Sequence, residues 1–151
     1  EGERRVRRVL LTHSQARHGG FARLLGPTSI ELVESLDTEG SRVFADRYWG
    51  DLGFIHVCFE VQGMEALKEA AAAAGFPFTV DSGKSFDMGE AAGRFAYVED
   101  AGGTLVELVE THRVPIVPAL GITVNLAKGG HRKAVPGWIL RLLALKRTRT
   151  L

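Results

Sequence analysis

Between residues 53 and 111 the spacing of apolar positions changes repeatedly, and each change predicts an element. Residues 54–60 alternate, with His56 set among strand-forming residues. Residues 63–74 are rich in strong helix formers, and Gly75 supplies the stop. A short apolar piece follows at 76–80, then a polar loop at 81–93. Two strands, 94–99 and 104–110, close the unit, and Asp100-Ala101-Gly102-Gly103 makes the turn between them. The pattern is one complete βαβββ unit and predicts an α+β fold.

A strand has period two, so its faces can be read separately. Ile55, Val57 and Phe59 share a face suited to packing on the helix, which leaves His56 and Cys58 on the other. With Val106 and Leu108 packed inward, Glu107 points to the face of His56. A carboxylate inside an apolar run is costly to bury unless it is hydrogen-bonded or bound to a cation. The plainer reading of Glu107 alone is a residue on a solvated sheet face.

An internal repeat bears on that choice. Residues 30–35, Ile-Glu-Leu-Val-Glu-Ser, echo residues 106–111, Val-Glu-Leu-Val-Glu-Thr, and set Glu31 opposite Glu107. The repeat implies two related half-units, of which the first shows only its last two strands. Residues 1–35 then form a partial first module, 36–52 a polar connector, 53–111 the complete second module and 112–151 an extension. Residues 3–13 read as an amphipathic strand, 14–25 as a loop and 28–34 as the Glu31 strand.

Charge separates the extension from the body. Residues 1–111 hold 11 Lys/Arg against 18 Asp/Glu, and residues 112–151 hold 8 Lys/Arg and no acid. Such a tail suits an acidic partner or wraps an acidic body, its own or a sister chain's. Its apolar 114–122 run and an amphipathic helix at 138–146, opened by Pro136, favour packing over a free tail. Arg4, Arg5, Arg7 and Arg8 read as solvated edge charge. No aromatic platform interleaves them, which argues against a nucleic-acid role. No apolar run reaches transmembrane length, and the lone Cys58 fits a reducing cytoplasm.

Taken together, the phrases Gly53-Phe-Ile-His56-Val-Cys-Phe-Glu-Val61 and Arg94-Phe-Ala-Tyr-Val-Glu-Asp100-Ala-Gly-Gly-Thr-Leu-Val-Glu107-Leu resemble the vicinal oxygen chelate superfamily of glyoxalases, bleomycin-resistance proteins and methylmalonyl-CoA epimerases. The turn departs from that family's Asp-Pro-Asp-Gly-like form but keeps the glycine. The resemblance covers residues 53–111 strongly and 4–35 less so. It implies paired βαβββ modules curled into a cupped mixed sheet, with ligands converging on one divalent ion. His56 and Glu107 are then the second module's metal ligands and Glu31 the first module's. A fourth ligand is expected on a strand before Glu1. The separations 31 to 56 and 56 to 107 resemble the epimerase branch more than the shorter bacterial glyoxalase I.

Imidazole and carboxylates without thiolate suit Zn²⁺, Ni²⁺, Co²⁺, Mn²⁺ or Fe²⁺. The implied activity is that of an isomerase or lyase acting on a small-molecule carbonyl compound or thioester. The ion would stabilise an enediolate while a base moves the proton next to the carbonyl. Glu107 is the first candidate base, and His13 a second acid/base candidate whose plainer reading is a loop-edge histidine. Cys58 reads as a small core residue rather than a nucleophile. Phe86 and Met88, on the 81–93 loop, are expected to touch substrate, with a core-plugging Phe86 as the alternative. Two other functions stay open: a metal-free, drug-sequestering binding module, and an iron dioxygenase. The half-present first module exposes a sheet edge, which predicts a homodimer.

Overall fold

The computed structural model describes residues 3–13, 18–19, 21–24, 26–42, 45–46, 48–84, 86–88, 91–117, 120–126 and 134–143. The fold is α+β. Strands β1 (Val6–Thr12) and β2 (Ser29–Ser35) form an antiparallel pair, with a 3-10 turn at Ala22–Leu24 between them. The remaining strands are β3 (His56–Glu60), β4 (Val80–Asp81), β5 (Phe86–Met88), β6 (Ala91–Glu99), β7 (Leu105–Val117) and β8 (Ile122–Asn125). They make one six-stranded sheet in the order β3-β7-β6-β4, with β5 added on β6 and β8 on β7. β3 runs parallel to β7, and the other pairs are antiparallel. The two half-units of the repeat thus lie in separate sheets, the first as a bare hairpin.

Helix α1 (Met64–Ala73) crosses from β3 to β4. Its end is a Schellman motif: Phe76 N–H reaches Ala71 O at 2.9 Å and Gly75 N–H reaches Ala72 O at 3.0 Å. Gly75 takes φ 87°, a left-handed conformation that a side chain would strain. No side chain caps the helix start. The carboxylate of Glu110 on β7 accepts from Gly63 N–H at 2.7 Å, which ties the helix to the middle of the sheet.

Arg94 bolts the layers together. Its guanidinium is 5% exposed and donates through Nε and Nη2 to both oxygens of Asp81, at 3.0 and 2.8 Å. Nη1 donates to Glu65 on α1 at 2.6 Å, and Lys68 on the same helix reaches Asp81 at 2.8 Å. A buried guanidinium is tolerable because its fork is met in this way. Met64, Ala96, Ile116, Leu126 and Val135 are the buried apolar residues among those described. Val135 leads into helix α2 (Gly137–Leu143), which packs on β7. The amphipathic stretch beyond Pro136 therefore forms a packed helix, although residues 144–146 of its expected span lie outside the described ones.

Three features differ from the sequence reading. The expected loop 81–93 contains β5 and the start of β6, paired Phe86↔Gly93, Asp87↔Ala92 and Met88↔Ala91. Polar Asp87 conceals that strand's periodicity. β7 continues past Thr111 to Val117, because β8 pairs back on Arg113–Val117. Pro115 is accommodated where the β7–β8 register shifts between Pro115 and Val117. Phe59, expected against the helix, is 37% exposed.

Candidate functional site: a histidine–glutamate pair under aromatic rings

Two register relations bring the site together. In the parallel β3–β7 ladder Cys58 lies opposite Glu107, two residues from His56 and so on the same face. In the antiparallel β6–β7 ladder Tyr97 lies opposite Glu107. The turn sets that second register. Asp100 Oδ1 accepts from Gly102 and Thr104 N–H, each at 2.8 Å, and Gly103 takes φ 81°.

Glu107 is the hub. His56 Nε2 lies 2.9 Å from its Oε2, and the Tyr97 hydroxyl donates to its Oε1 at 2.9 Å. The Cys58 thiol lies beside the same carboxylate, directly across the ladder from it. Both members of the pair are largely buried, with side chains 24% and 18% exposed. His56 Nδ1 is fully buried and has no hydrogen-bond partner among the described residues, an orphan that a native structure rarely keeps without a use. Cys58 is exposed rather than the small core residue expected, and partial desolvation, then the neighbouring Glu107, push its thiol up to about 11. The same two causes push the Tyr97 phenol up to about 12. Near neutral pH both are protonated donors, and Cys58 is no nucleophile.

Rings cover the pair. Trp49, from the connector, sits 6.1 Å from the His56 ring and 5.7 Å from Tyr97, centroid to centroid. Tyr97 meets His56 edge-on at 5.6 Å, Phe95 follows at 6.0 Å, and Phe86 packs edge-on against Phe95 at 5.4 Å.

Of the residues predicted from the sequence, the structure unites His56 and Glu107 and sets Phe86 at the far end of the aromatic row. Met88 ends β5, and its side chain lies outside the described residues. His13 is exposed just past β1. Glu31 is not brought to the pair: it lies on the separate hairpin, where Arg8 binds its carboxylate through Nε and Nη2. The Arg8–Glu31 contact follows from the ladder, since Arg8 faces Val33 and its long stem reaches the diagonal neighbour. Tyr97 was findable, because a four-residue turn fixes which residue opposes Glu107. Trp49 sits in an irregular connector and gave no periodic signal.

A divalent ion can be tested against this geometry. Two ligand atoms that each lie about 2.0–2.2 Å from one ion stand about 3 Å apart when cis. His56 Nε2 and Glu107 Oε2 meet that spacing, and Tyr97 is the kind of hydrogen-bonded partner that ligating carboxylates take. The pair therefore fits two positions of a metal. Among the described residues no group of three or more His, Cys, Asp or Glu side chains could hold one. None of their helices is long and apolar enough to cross a membrane.

No protein-family model matches the chain. No curated protein matches it. Among solved structures, a glyoxalase family protein from Bacillus cereus is similar at 20% identity and a TM-score of 0.42. The similarity covers 55% of this chain and 53% of that one, so this chain spans about half the length of the structure it matches.

Proposed function

We propose that this chain carries a vicinal-oxygen-chelate-type site that moves a proton next to the carbonyl of a small molecule or its thioester, as an isomerase or lyase does. The observation that carries the reading is the 2.9 Å contact between His56 and Glu107, two polar groups from sequence-distant strands on one sheet face. His56 and Glu107 would be two ligands of a divalent ion, which when bound supplies Lewis-acid polarisation of substrate oxygens. Glu107 is the base. Its carboxylate is held by the Tyr97 hydroxyl on one oxygen and His56 on the other, so little reorientation precedes proton transfer. Tyr97 keeps its own proton and fixes the carboxylate plane. Trp49 and Tyr97 flank the pair and limit its contact with water, which strengthens the polar contacts there.

The test is elemental analysis after exposure of the purified chain to Ni²⁺, Zn²⁺ or Mn²⁺. Wild type should retain metal, and His56→Ala and Glu107→Ala should each lose it by ten- to a hundredfold or more. Wild type that retains none of the three would remove the enzyme reading. A second reading is favoured by one observation: Glu31, the ligand expected from the first half-unit, is engaged by Arg8. On that reading the site is a metal-free module that sequesters small molecules.

A homodimer belongs to the first reading. Val9, Leu11 and Leu32 share one face of the β1–β2 hairpin and are each 44–51% exposed, and a lone hairpin is marginal in water. A second copy would cover that face, and a monodisperse monomer in light scattering would refute it.

A further inference from the structure

The ring row does more than roof the His56–Glu107 pair. Phe95 and Tyr97 alternate on β6 and so project from one sheet face, and Phe86 on β5 stands opposite Gly93 on that same face. The rings therefore run from the pair outward: His56, Tyr97, Phe95, Phe86, with successive centroids 5.6, 6.0 and 5.4 Å apart. The ends of the row stay open. Phe86 is 44% exposed and Trp49 is 61% exposed, so both have ring surface to offer, whereas Phe95 and Tyr97 between them are partly covered. A strip of ring edges and faces that starts at a polar pair fits a ligand with a polar head and a flat apolar body.

We infer that the site takes substrates in which the reacting carbonyl adjoins a planar aromatic or unsaturated group. The carbonyl end lies at His56 and Glu107, beside Trp49, and the flat group lies along Phe95 and Phe86. This rests on the carbonyl-site reading above and names its substrate class. Phe86 and Phe95 then determine specificity, and Phe86 matters most because its exposed ring has no other partner than Phe95 among the ring contacts described. Phe86 supplies a flat face, so leucine of similar bulk should not replace it.

The experiment measures binding of four acids to the full chain in buffer containing Mn²⁺: pyruvate, phenylpyruvate, 3-cyclohexylpyruvate and 3-phenylpropionate. Calorimetry gives the affinities, and a Trp138→Phe background lets emission report Trp49 alone. Phenylpyruvate should bind about tenfold more tightly than pyruvate and clearly better than its saturated cyclohexyl counterpart, an advantage of the size ring packing gives. Phe86→Ala and Phe86→Leu should both remove the advantage and keep a cooperative melt. Equal affinity for the phenyl and cyclohexyl acids, or an advantage that survives in both variants, overturns the inference and leaves the carbonyl site standing. Phenylpropionate binding as tightly as phenylpyruvate, with the same Phe86 dependence, upholds the aromatic strip and removes the carbonyl reading. Failure of all four to bind overturns both.

Discussion

Arg94→Met is the substitution whose cost follows most directly from the fold. The guanidinium is 5% exposed and makes three charge-assisted hydrogen bonds, two to Asp81 and one to Glu65. The Glu65 side chain is 68% exposed, so water replaces that bond and about 0–1 kcal/mol is lost there. Asp81 is different, because its side chain is only 17% exposed. Removing one partner of a buried pair costs about 3–5 kcal/mol, since the other charge stays behind. Lys68 Nζ and Gly83 N–H still hold Asp81, at 2.8 and 2.9 Å, which sets the expected loss near the lower end, about 3 kcal/mol. For a domain of this size that is a fall in Tm of about 6–12 °C. The acid limb should change as well. Arg94 first, and Lys68 second, hold the Asp81 carboxyl well below the usual carboxylate range. A depressed folded pKa contributes stability that is full above the unfolded value, near 3.9, and is lost as pH falls below it. Wild type should therefore lose stability steeply below about pH 4, and Arg94→Met should show a shallower acid slope. Thermal melts at pH 7 and pH 3 measure both effects. A variant that melts within 2 °C of wild type at pH 7 would refute the role of Arg94 as the bolt between α1, β4 and β6.

Three further outcomes are expected. Cys58, with its thiol near 11, should react slowly with a disulfide reagent at pH 8, where about one molecule in a thousand is thiolate; the rate should climb up to about pH 11 and rise at every pH in Glu107→Gln, and a plateau by pH 9 would contradict the Glu107 contact. An ultraviolet titration should contain a phenol phase near 12 that disappears in Tyr97→Phe, and persistence of that phase would assign it elsewhere. Gly93→Ala sets a methyl 2.8 Å from the Glu110 carbonyl oxygen, so it should lower stability by about 1–3 kcal/mol, and an unchanged melt would show that the β6–β7 register yields there.

How much of this was legible in the sequence depends on whether a local pattern determined the element. Period two in 54–60 and 104–110 placed His56 and Glu107 on one face, because a one-residue slip would turn every apolar residue of the strand outward. The Asp100–Gly103 turn carried the register, and with it Tyr97. The helix end at Gly75 was legible because only glycine takes φ 87° without strain. β5 was hidden: a three-residue strand containing Asp87 has no period to detect, and only pairing with β6 makes it one. The length of β7 was hidden by Pro115, which reads as a strand end until β8 is known to pair across it. Trp49 was hidden because its place over His56 comes from the path of an irregular connector, and side-chain contacts of that kind leave no periodic trace.

The repeat joining Glu31 to Glu107 shows where sequence symmetry stops being structural symmetry. Each glutamate has the same local setting, an apolar strand with a second glutamate three residues on. What differs is the strand beside it. Glu107 lies between β3 and β6, which offer His56, Cys58 and Tyr97, three protic groups with no full positive charge fixed among them. Glu31 has β1, which offers Arg8, a permanent cation whose fork matches a carboxylate. A carboxylate already ion-paired with arginine gains little from a metal, whereas Glu107 faces an imidazole and a phenol, with no arginine or lysine bound to it among the described residues. On the proposed reading the site is therefore at Glu107, and the flanking strand, rather than the glutamate motif itself, decides which copy of the repeat can be a site.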